Sequence, residues 1–313
     1  MRELIVTTKL AFGQLSAGRA SVPLRARIDV DGRDGMSLFM PALLPDTGEL
    51  AIKVVSVFPK NTQRELPTIH ALVVALDPET GRPIALIEGG TLTAIRTGAG
   101  SGAATDLLAR PNAKRVAILG AGVQARTQLE AVCTVRDIES VCIFSLEPKM
   151  SQLFLAEVAA ADWAPTSIDV ALTASGAIEG ADVICAATTS STPVFKGSAL
   201  KPGVHINAIG SFLPTMQEID SDTVERSLLF VDSREAALAE TGDLIIPIQE
   251  SRISEDHVQA ELGEIVNGVH PGRTDEDQIT LYKSVGNAVQ DAAAAGLALR
   301  NAEKFSIGKV IEL

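Results

Sequence analysis

The string Gly120-Ala121-Gly122-Val123-Gln124-Ala125 constrains the fold more than any other part of the chain. It directly follows the apolar run 115–119 and precedes a stretch, 124–135, with apolar residues at helical spacing. In a strand-turn-helix unit the first glycine permits a tight turn, the second lets backbone approach a pyrophosphate, and the small Ala125 lets the helix pack closely. The helix N-terminus then offers unpaired N–H groups to the phosphates. The string therefore predicts a dinucleotide-binding site.

After residue 112 the chain alternates short apolar runs with stretches of helical periodicity. Such alternation is typical of a parallel sheet with helices on both faces. The expected helices include 124–135 and 149–160, and the expected strands are 115–119, 140–145, 181–188, 205–209 and 228–232.

The chain before residue 112 follows a different pattern. Helical spacing occurs at 2–16 and 92–108, and turns separate the short β-type runs between them, which are 37–40, 50–58, 68–76 and 83–87. These runs favour an antiparallel or mixed sheet. An Ala-rich amphipathic stretch, 285–302, follows the parallel part and is expected to pack back on this first half.

We therefore predict an α/β protein with two domains. A Rossmann domain with a parallel sheet covers residues 112–285. A mixed α+β domain covers residues 1–111 and includes the returning C-terminal helix, within 286–313.

Composition narrows the function. The net charge of −12, without any run of Lys and Arg, disfavours nucleic acids and anionic membranes as partners. No apolar stretch reaches the roughly 18 residues of a membrane span, and no export signal is recognised. Cys133, Cys142 and Cys185 lack CxxC spacing, which favours reduced core thiols in a cytoplasmic protein. The four histidines have no metal-ligand spacing, so no metal site is predicted.

The end of the strand after the glycine string bears on nucleotide choice. NAD-binding proteins commonly place there an acid that hydrogen-bonds the ribose hydroxyls, whereas this chain has Ser145 followed by Leu146 and Glu147. Ser145, with Lys149 nearby, would tolerate a 2′-phosphate, although Glu147 could still reach a ribose. We expect NAD(P) as cofactor, with NADP slightly favoured.

Isolated cations in apolar surroundings are the candidates for chemistry. Lys53 stands at the centre of the apolar run 50–58, where it either snorkels from an edge strand or faces a cleft that lowers its pKa and makes it a proton donor. Arg96 stands among small residues and suits a bidentate grip on a carboxylate. Arg25 is a weaker candidate, because adjacent Arg27 indicates that this segment has a solvated face.

From about Gly18 to about Leu299 the chain resembles the ornithine cyclodeaminase/μ-crystallin family, which includes an archaeal-type alanine dehydrogenase and several ketimine and pyrroline-carboxylate reductases. The segments that carry the resemblance are 40–42, 52–54, 59–61, 96–99, 119–125 and 205–210. Segments 231–238, 242–243, 261–265 and 283–286 are particularly similar to μ-crystallin and favour the reductase branch.

The resemblance implies a homodimer whose first domain builds the interface and the substrate pocket. It implies that Lys53, Arg96 and Arg25 contact the substrate, and it supports the choice of Arg25 over Arg27. The cofactor-lining residues that it implies are Thr97, Gly120, Gly122, Val123, Gln124, Thr188, Thr189, Gly210, Ser284, Val285 and Gly286.

Two departures from the family pattern select among its activities. Phe212 stands where the cyclodeaminase and alanine dehydrogenase members have an essential aspartate, and Leu38 stands where they have a charged substrate-binding residue. We therefore expect NAD(P)H-dependent reduction of a small cyclic or N-substituted 2-imino acid, such as Δ1-pyrroline-2-carboxylate, with Lys53 as the catalytic residue. The alternatives are an ornithine cyclodeaminase, an alanine dehydrogenase-like enzyme, and a non-catalytic protein that binds a nucleotide or a small ligand.

Overall fold

Two sheets organise residues 1–311, which the computed structural model describes. The first sheet is antiparallel, and its five strands lie side by side in the order in which they occur in the chain. Helix α1 (Arg2–Ser16) precedes it and helix α2 (Gly89–Leu108) follows it. Its strands are Ala26–Val30 (β1), Gly35–Leu44 (β2), Glu49–Val57 (β3), Ile69–Leu76 (β4) and Pro83–Glu88 (β5).

The strands of the second sheet are Arg115–Leu119 (β6), Ser140–Phe144 (β7), Ser167–Val170 (β8), Val183–Ala186 (β9), His205–Ala208 (β10), Leu228–Val231 (β11), Val258–Glu261 (β12) and Thr280–Lys283 (β13). This sheet is parallel and has the order β12-β11-β13-β10-β9-β6-β7-β8. The helices of this half and the last helix are Val123–Val135 (α3), Pro148–Ala159 (α4), Ala174–Ile178 (α5), Ser221–Arg226 (α6), Arg234–Glu240 (α7), Gly242–Gln249 (α8), Leu262–Val266 (α9) and Ala288–Phe305 (α10).

The predicted α/β class is confirmed, but the sequence patterns missed four strands. Strand β1 is almost wholly exposed and alternates charged with apolar residues, so it has no buried stripe to detect. Strands β8, β12 and β13 have only four residues each, and β13 ends on a charged residue, Lys283, that the fold buries. Such short strands depend on neighbours in the sheet rather than on local periodicity.

Helix α10 returns to the antiparallel half, as its amphipathic pattern predicts. It packs on β2, β3, α1 and α2, and its buried face is built largely from alanines. Small side chains allow a close approach between the helix and the sheet, and they leave room for two buried polar residues, Gln290 and Asp291. The last helix in the chain therefore completes the core of the first half.

The loops after the parallel strands meet at one edge of the large sheet. Strand β6 lies between β9 and β7, and a ligand crevice forms where connections leave adjacent parallel strands in opposite directions. Among residues 1–311, no helix has the length and hydropathy to cross a bilayer.

Candidate active site

The glycine string forms the turn between β6 and α3, and its two glycines have different constraints. Gly120 has φ +100°, and a Cβ there would lie 2.6 Å from the carbonyl oxygen of Ala187. Gly122 has no such conflict, since a Cβ at this position would meet nothing within 4 Å. The protein's own packing therefore requires the first glycine but not the second. The free space above Gly122 is what a closely approaching pyrophosphate needs.

The start of α3 also fits a bound dinucleotide. The side chain of Val123 is exposed, and the Oε1 atom of Gln124 is buried without a hydrogen-bond partner among the described residues. A buried acceptor without a partner is costly unless a ligand or water satisfies it. Ser145, Thr188, Gly210 and the segment Ser284–Gly286 follow β7, β9, β10 and β13, so their backbones lie along the same edge of the sheet as this turn.

A buried carboxylate ties two of these loops together. Glu218 accepts a hydrogen bond from the backbone N–H of Thr188 at 2.6 Å and from that of Gly210 at 2.7 Å. Burial raises the pKa of Glu218. Lys283 lies nearby as a buried cation, 3.1 Å from Asp243, whose carboxylate holds the backbone of Glu218. This network fixes the spacing of the loops after β9 and β10.

Ser145 ends β7 without an acidic neighbour on its own strand. Its hydroxyl donates to the carbonyl oxygen of Glu147 at 2.8 Å and accepts a hydrogen bond from Ser151 at 3.0 Å. Glu147 is exposed at the start of α4, and Lys149 is exposed in its first turn. The position predicted to discriminate between nucleotides therefore holds a small neutral residue, with one acid and one base close in sequence.

The segment Ser284–Gly286 joins the cofactor edge to the cationic cluster. Asp232, at the end of β11, accepts hydrogen bonds from the hydroxyl of Ser284 at 2.8 Å and from the backbone N–H of Gly286 at 2.8 Å. A Cβ on Gly286 would lie 2.9 Å from Nη1 of Arg96. The segment is thus fixed from one side while its glycine lets a guanidinium pack directly against the backbone.

Lys53 lies on an interior strand, not on an edge. Strand β3 is paired on both sides, with Lys53 opposite Met40 of β2 and Val73 of β4, and its side chain is only 2% exposed. The alternative of a snorkelling edge-strand lysine is therefore wrong. Its Nζ lies 2.8 Å from an Oδ atom of Asp291 on α10.

Arg96 shares this counter-ion. Its Nε lies 3.0 Å from the other Oδ atom of Asp291, and its Nη1 donates to Gln290 at 2.8 Å. Asp291 is 1% exposed, so one buried carboxylate lies between two buried cations. Since removing one member of a buried ion pair leaves an uncompensated charge, the three side chains depend on each other.

Burial lowers the pKa of Lys53 from 10.5 to about 8, while the carboxylate of Asp291 opposes this shift and the charge of Arg96 adds to it. A lysine with such a pKa remains mostly protonated at neutral pH but gives up its proton far more readily than an exposed one. The geometry and the pKa together suit a proton donor.

Arg25 lies just before β1 and faces the same region from the other side. Its Nε donates to Glu240, the last residue of α7, at 2.8 Å. Arg27 instead pairs with Asp29 on the exposed side of β1. Of the two candidate arginines, only Arg25 therefore lies between the two halves of the molecule.

The remaining residues singled out from the sequence offer no charged group to this cluster. The hydroxyl of Thr97 donates a hydrogen bond to the carbonyl oxygen of Thr93 within α2. Thr189 is exposed. Phe212 is 42% exposed in the loop after β10. Leu38 lies on β2, two residues before Met40. It is partly buried against the hydrophobic core that β2 forms with α10. Neither of these last two side chains offers a charge.

A sequence model of the ornithine cyclodeaminase/mu-crystallin family matches residues 1–305. The chain belongs to this family. It is 41% identical over 313 residues to a Δ1-pyrroline-2-carboxylate reductase of Bacillus thuringiensis subsp. konkukian, a match that covers 100% of this chain and 95% of the relative.

Two solved structures show the ornithine cyclodeaminase/mu-crystallin fold over nearly the whole chain. One is the Δ1-pyrroline-2-carboxylate reductase of Thermococcus litoralis in complex with NADH and L-proline, with a TM-score of 0.95, 45% identity, and coverage of 99% of this chain and 96% of that one. The other is an archaeal alanine dehydrogenase dimer with bound NAD, with a TM-score of 0.92, 32% identity, and coverage of 100% and 95%. The family resemblance is confirmed.

The sequence patterns did not single out several residues of the candidate site, among them Asp291, the counter-ion of Lys53 and Arg96. It is an isolated acid in an alanine-rich helix, so the argument that singled out Lys53 would have found it. Glu240 and Asp232 carry no such signal, because acidic residues at helix ends and strand ends are common on protein surfaces.

Proposed function

We propose that this chain is an NAD(P)H-dependent reductase of small cyclic or N-substituted 2-imino acids, with Δ1-pyrroline-2-carboxylate as the first candidate substrate. The observation that carries the proposal is the contact between Arg96, in the buried Lys53–Asp291–Arg96 cluster, and Gly286, in a segment at the cofactor edge. Carboxylate-binding groups, a proton donor and the expected nicotinamide side of the crevice therefore adjoin one another.

Each side chain has a role that its surroundings support. Arg96 and Arg25 bind the substrate carboxylate, and Lys53 hydrogen-bonds the imine nitrogen and protonates it. A nicotinamide cofactor held at the Gly120–Gln124 turn would supply the hydride for the imine carbon. Hydride on carbon and proton on nitrogen together convert the C=N bond into an amine. Asp291 keeps Lys53 charged and holds it against Arg96 before the proton is transferred.

Relatives support this reaction class. The Bacillus relative is a Δ1-pyrroline-2-carboxylate reductase, and the Thermococcus structure holds NADH together with L-proline, which is the compound formed when that imine is reduced. Both chains match this one over nearly their full length.

The cyclodeaminase alternative requires a further proton-transferring group that this site does not offer at the expected position. Phe212 replaces the aspartate of the cyclodeaminase members, and a phenyl ring neither accepts nor donates a proton. The deciding experiment compares oxidation of NADH and NADPH with Δ1-pyrroline-2-carboxylate and ammonia release from L-ornithine. Ammonia release without net cofactor turnover, in the absence of imine reduction, would overturn the reductase proposal.

Nucleotide choice and location are further proposals. The neutral Ser145 leaves room for a 2′-phosphate, so we propose that NADPH is accepted at least as well as NADH. The Thermococcus structure holds NADH and the archaeal alanine dehydrogenase structure holds NAD.

We propose a cytoplasmic location. Cys142 and Cys185 are buried free thiols and Cys133 is a partly buried free thiol, which is consistent with the reducing conditions of the cytoplasm.

We propose a homodimer that forms through the antiparallel sheet. The outer face of this sheet exposes large apolar side chains, among them Leu72, Ile84 and Leu86, which are 42%, 47% and 50% exposed. A contiguous apolar face of this kind is unusual on a monomer. A monomeric mass by light scattering at micromolar concentration would contradict the proposal.

A further inference from the structure

The ion pair between Arg25 and Glu240 crosses the opening between the two halves of the molecule. Arg25 belongs to the antiparallel half and Glu240 ends α7 of the parallel half, and their side chains are 22% and 23% exposed. The contact joins Nε of Arg25 to Glu240 at 2.8 Å, and Nη2 of Arg25 contacts the second carboxylate oxygen. The carboxylate therefore occupies one edge of the guanidinium and leaves Nη1 for another anion.

This pair lies beside the proposed substrate site. Arg25, Met40, Glu240 and Gly286 line one cavity of about 100 Å³. Gly286 is the residue against which the guanidinium of Arg96 packs, and Met40 is the direct neighbour of Lys53 across β2 and β3. Burial lowers the pKa of Arg25 and is the largest influence on it. The charge of Asp232 raises this pKa, and the charge of Arg96 lowers it.

Each of the three candidate substrate-binding cations already has an acidic partner. Lys53 and Arg96 share Asp291, and Arg25 has Glu240. One substrate carboxylate can bind between Nη1 of Arg25 and Nη2 of Arg96, which make no hydrogen bond among the described residues. A second carboxylate would find no cation without a counter-ion among these side chains, and it would approach the negative charge of Glu240.

We propose that Glu240 is a specificity-determining residue that restricts the enzyme to imino acids with a single carboxylate. The inference rests on the proposed imine reduction and narrows its substrate class. Proteins commonly reject a ligand by placing a like charge against it. An unpaired second carboxylate in a partly buried site, close to Glu240, would make the binding free energy of that substrate less favourable.

The test compares Glu240→Gln with the wild type on two imines of similar size, one with a distal carboxylate and one with a neutral group in its place. Methylamine condenses with 2-oxoglutarate and with 5-methyl-2-oxohexanoate to give N-methyl imines, and an isopropyl group in the second replaces the distal carboxylate of the first. We expect the ratio of kcat/KM for the dicarboxylate over the monocarboxylate to rise at least about tenfold in Glu240→Gln. Glu240→Asp keeps the charge and should keep the wild-type ratio. Glu179→Gln removes one exposed charge elsewhere and should also keep it.

The outcomes separate the two proposals. If the wild type does not reduce Δ1-pyrroline-2-carboxylate, the proposed function fails whatever Glu240 does. If it does, an unchanged ratio in Glu240→Gln overturns the role of Glu240. An equal loss with both imines would overturn it too, since Glu240 would then only position Arg25. A shift of the ratio in Glu240→Asp would show that shape rather than charge discriminates.

Discussion

Replacing Asp291 by Asn removes the charge that Lys53 and Arg96 share while keeping the shape of the side chain. Lys53 Nζ lies 2.8 Å from the carboxylate, and at an effective dielectric constant of about 20 two unit charges at that distance interact by about 6 kcal/mol. Loss of this whole energy would lower the pKa of Lys53 by about 4 units, which is the upper limit of the effect. Rearrangement and water reduce it, so we expect the pKa of Lys53 to fall by about 1 to 3 units.

The sign of the effect on catalysis follows from the role of Lys53 as proton donor. Imine reduction requires the ammonium form, so activity falls as the pH rises through the pKa of the folded enzyme, which is about 8 in the wild type. In Asp291→Asn the alkaline limb of log kcat/KM against pH should move to lower pH by about 1 to 3 units. Activity at pH 7 should fall about twofold for a shift of 1 unit, about tenfold for 2 units and about 90-fold for 3 units, and it should partly recover under mildly acidic conditions.

The assay follows NAD(P)H oxidation by absorbance across a pH series, well below the melting temperature of each variant. Asp291→Asn should also lose about 3 to 5 kcal/mol of stability, because two cations remain buried without a carboxylate. Asp291→Glu retains the charge and should hold the alkaline limb near its wild-type position. A folded Asn variant whose alkaline limb coincides with that of the wild type would refute the coupling between Asp291 and Lys53.

Three further substitutions test the remaining parts of the site. Lys53→Met should lower kcat by at least about 100-fold while fluorescence titration still shows NAD(P)H binding, and a smaller loss would exclude Lys53 as the proton donor. Gly122→Asp should abolish the thermal shift given by NAD(P)H without lowering the ligand-free Tm, since a Cβ there has free space; retained binding would remove the pyrophosphate argument. Ser145→Asp should shift the kcat/KM preference towards NADH through repulsion of the 2′-phosphate, and a wild type that strictly prefers NADH would count against this reasoning.

The parts of the fold that could be predicted from the sequence are those with local signals. The glycine string and the alternation of strands and helices after residue 112 lie in short windows, and they placed β6, α3 and β7 within one or two residues. Lys53 and Arg96 stood out because a lone charge in an apolar run is rare. The division of the chain at residues 111 and 285 stays a prediction.

The partners of these cations could not be predicted, because they come from distant parts of the chain. Arg25 and Glu240 are separated by 215 positions, and Arg96 and Gln290 by 194. Local periodicity shows that a residue is buried but not which residue faces it. Strand β13 was missed for the same reason, since Lys283 is buried only because Asp243 and the carbonyl oxygen of Ala208 receive it.

The return of α10 to the first half has a consequence for biosynthesis. The 194 positions between Arg96 and Gln290 comprise the whole parallel sheet, which a ribosome adding about 5 to 20 residues per second takes roughly 10 to 40 seconds to make. During that interval the nascent antiparallel half carries Lys53 and Arg96 without their counter-ion and without the alanine face that closes its core. The strands of the parallel half are contiguous in sequence, so this half does not depend on a segment that is synthesised much later. The half that is synthesised first is therefore the half that finishes folding last.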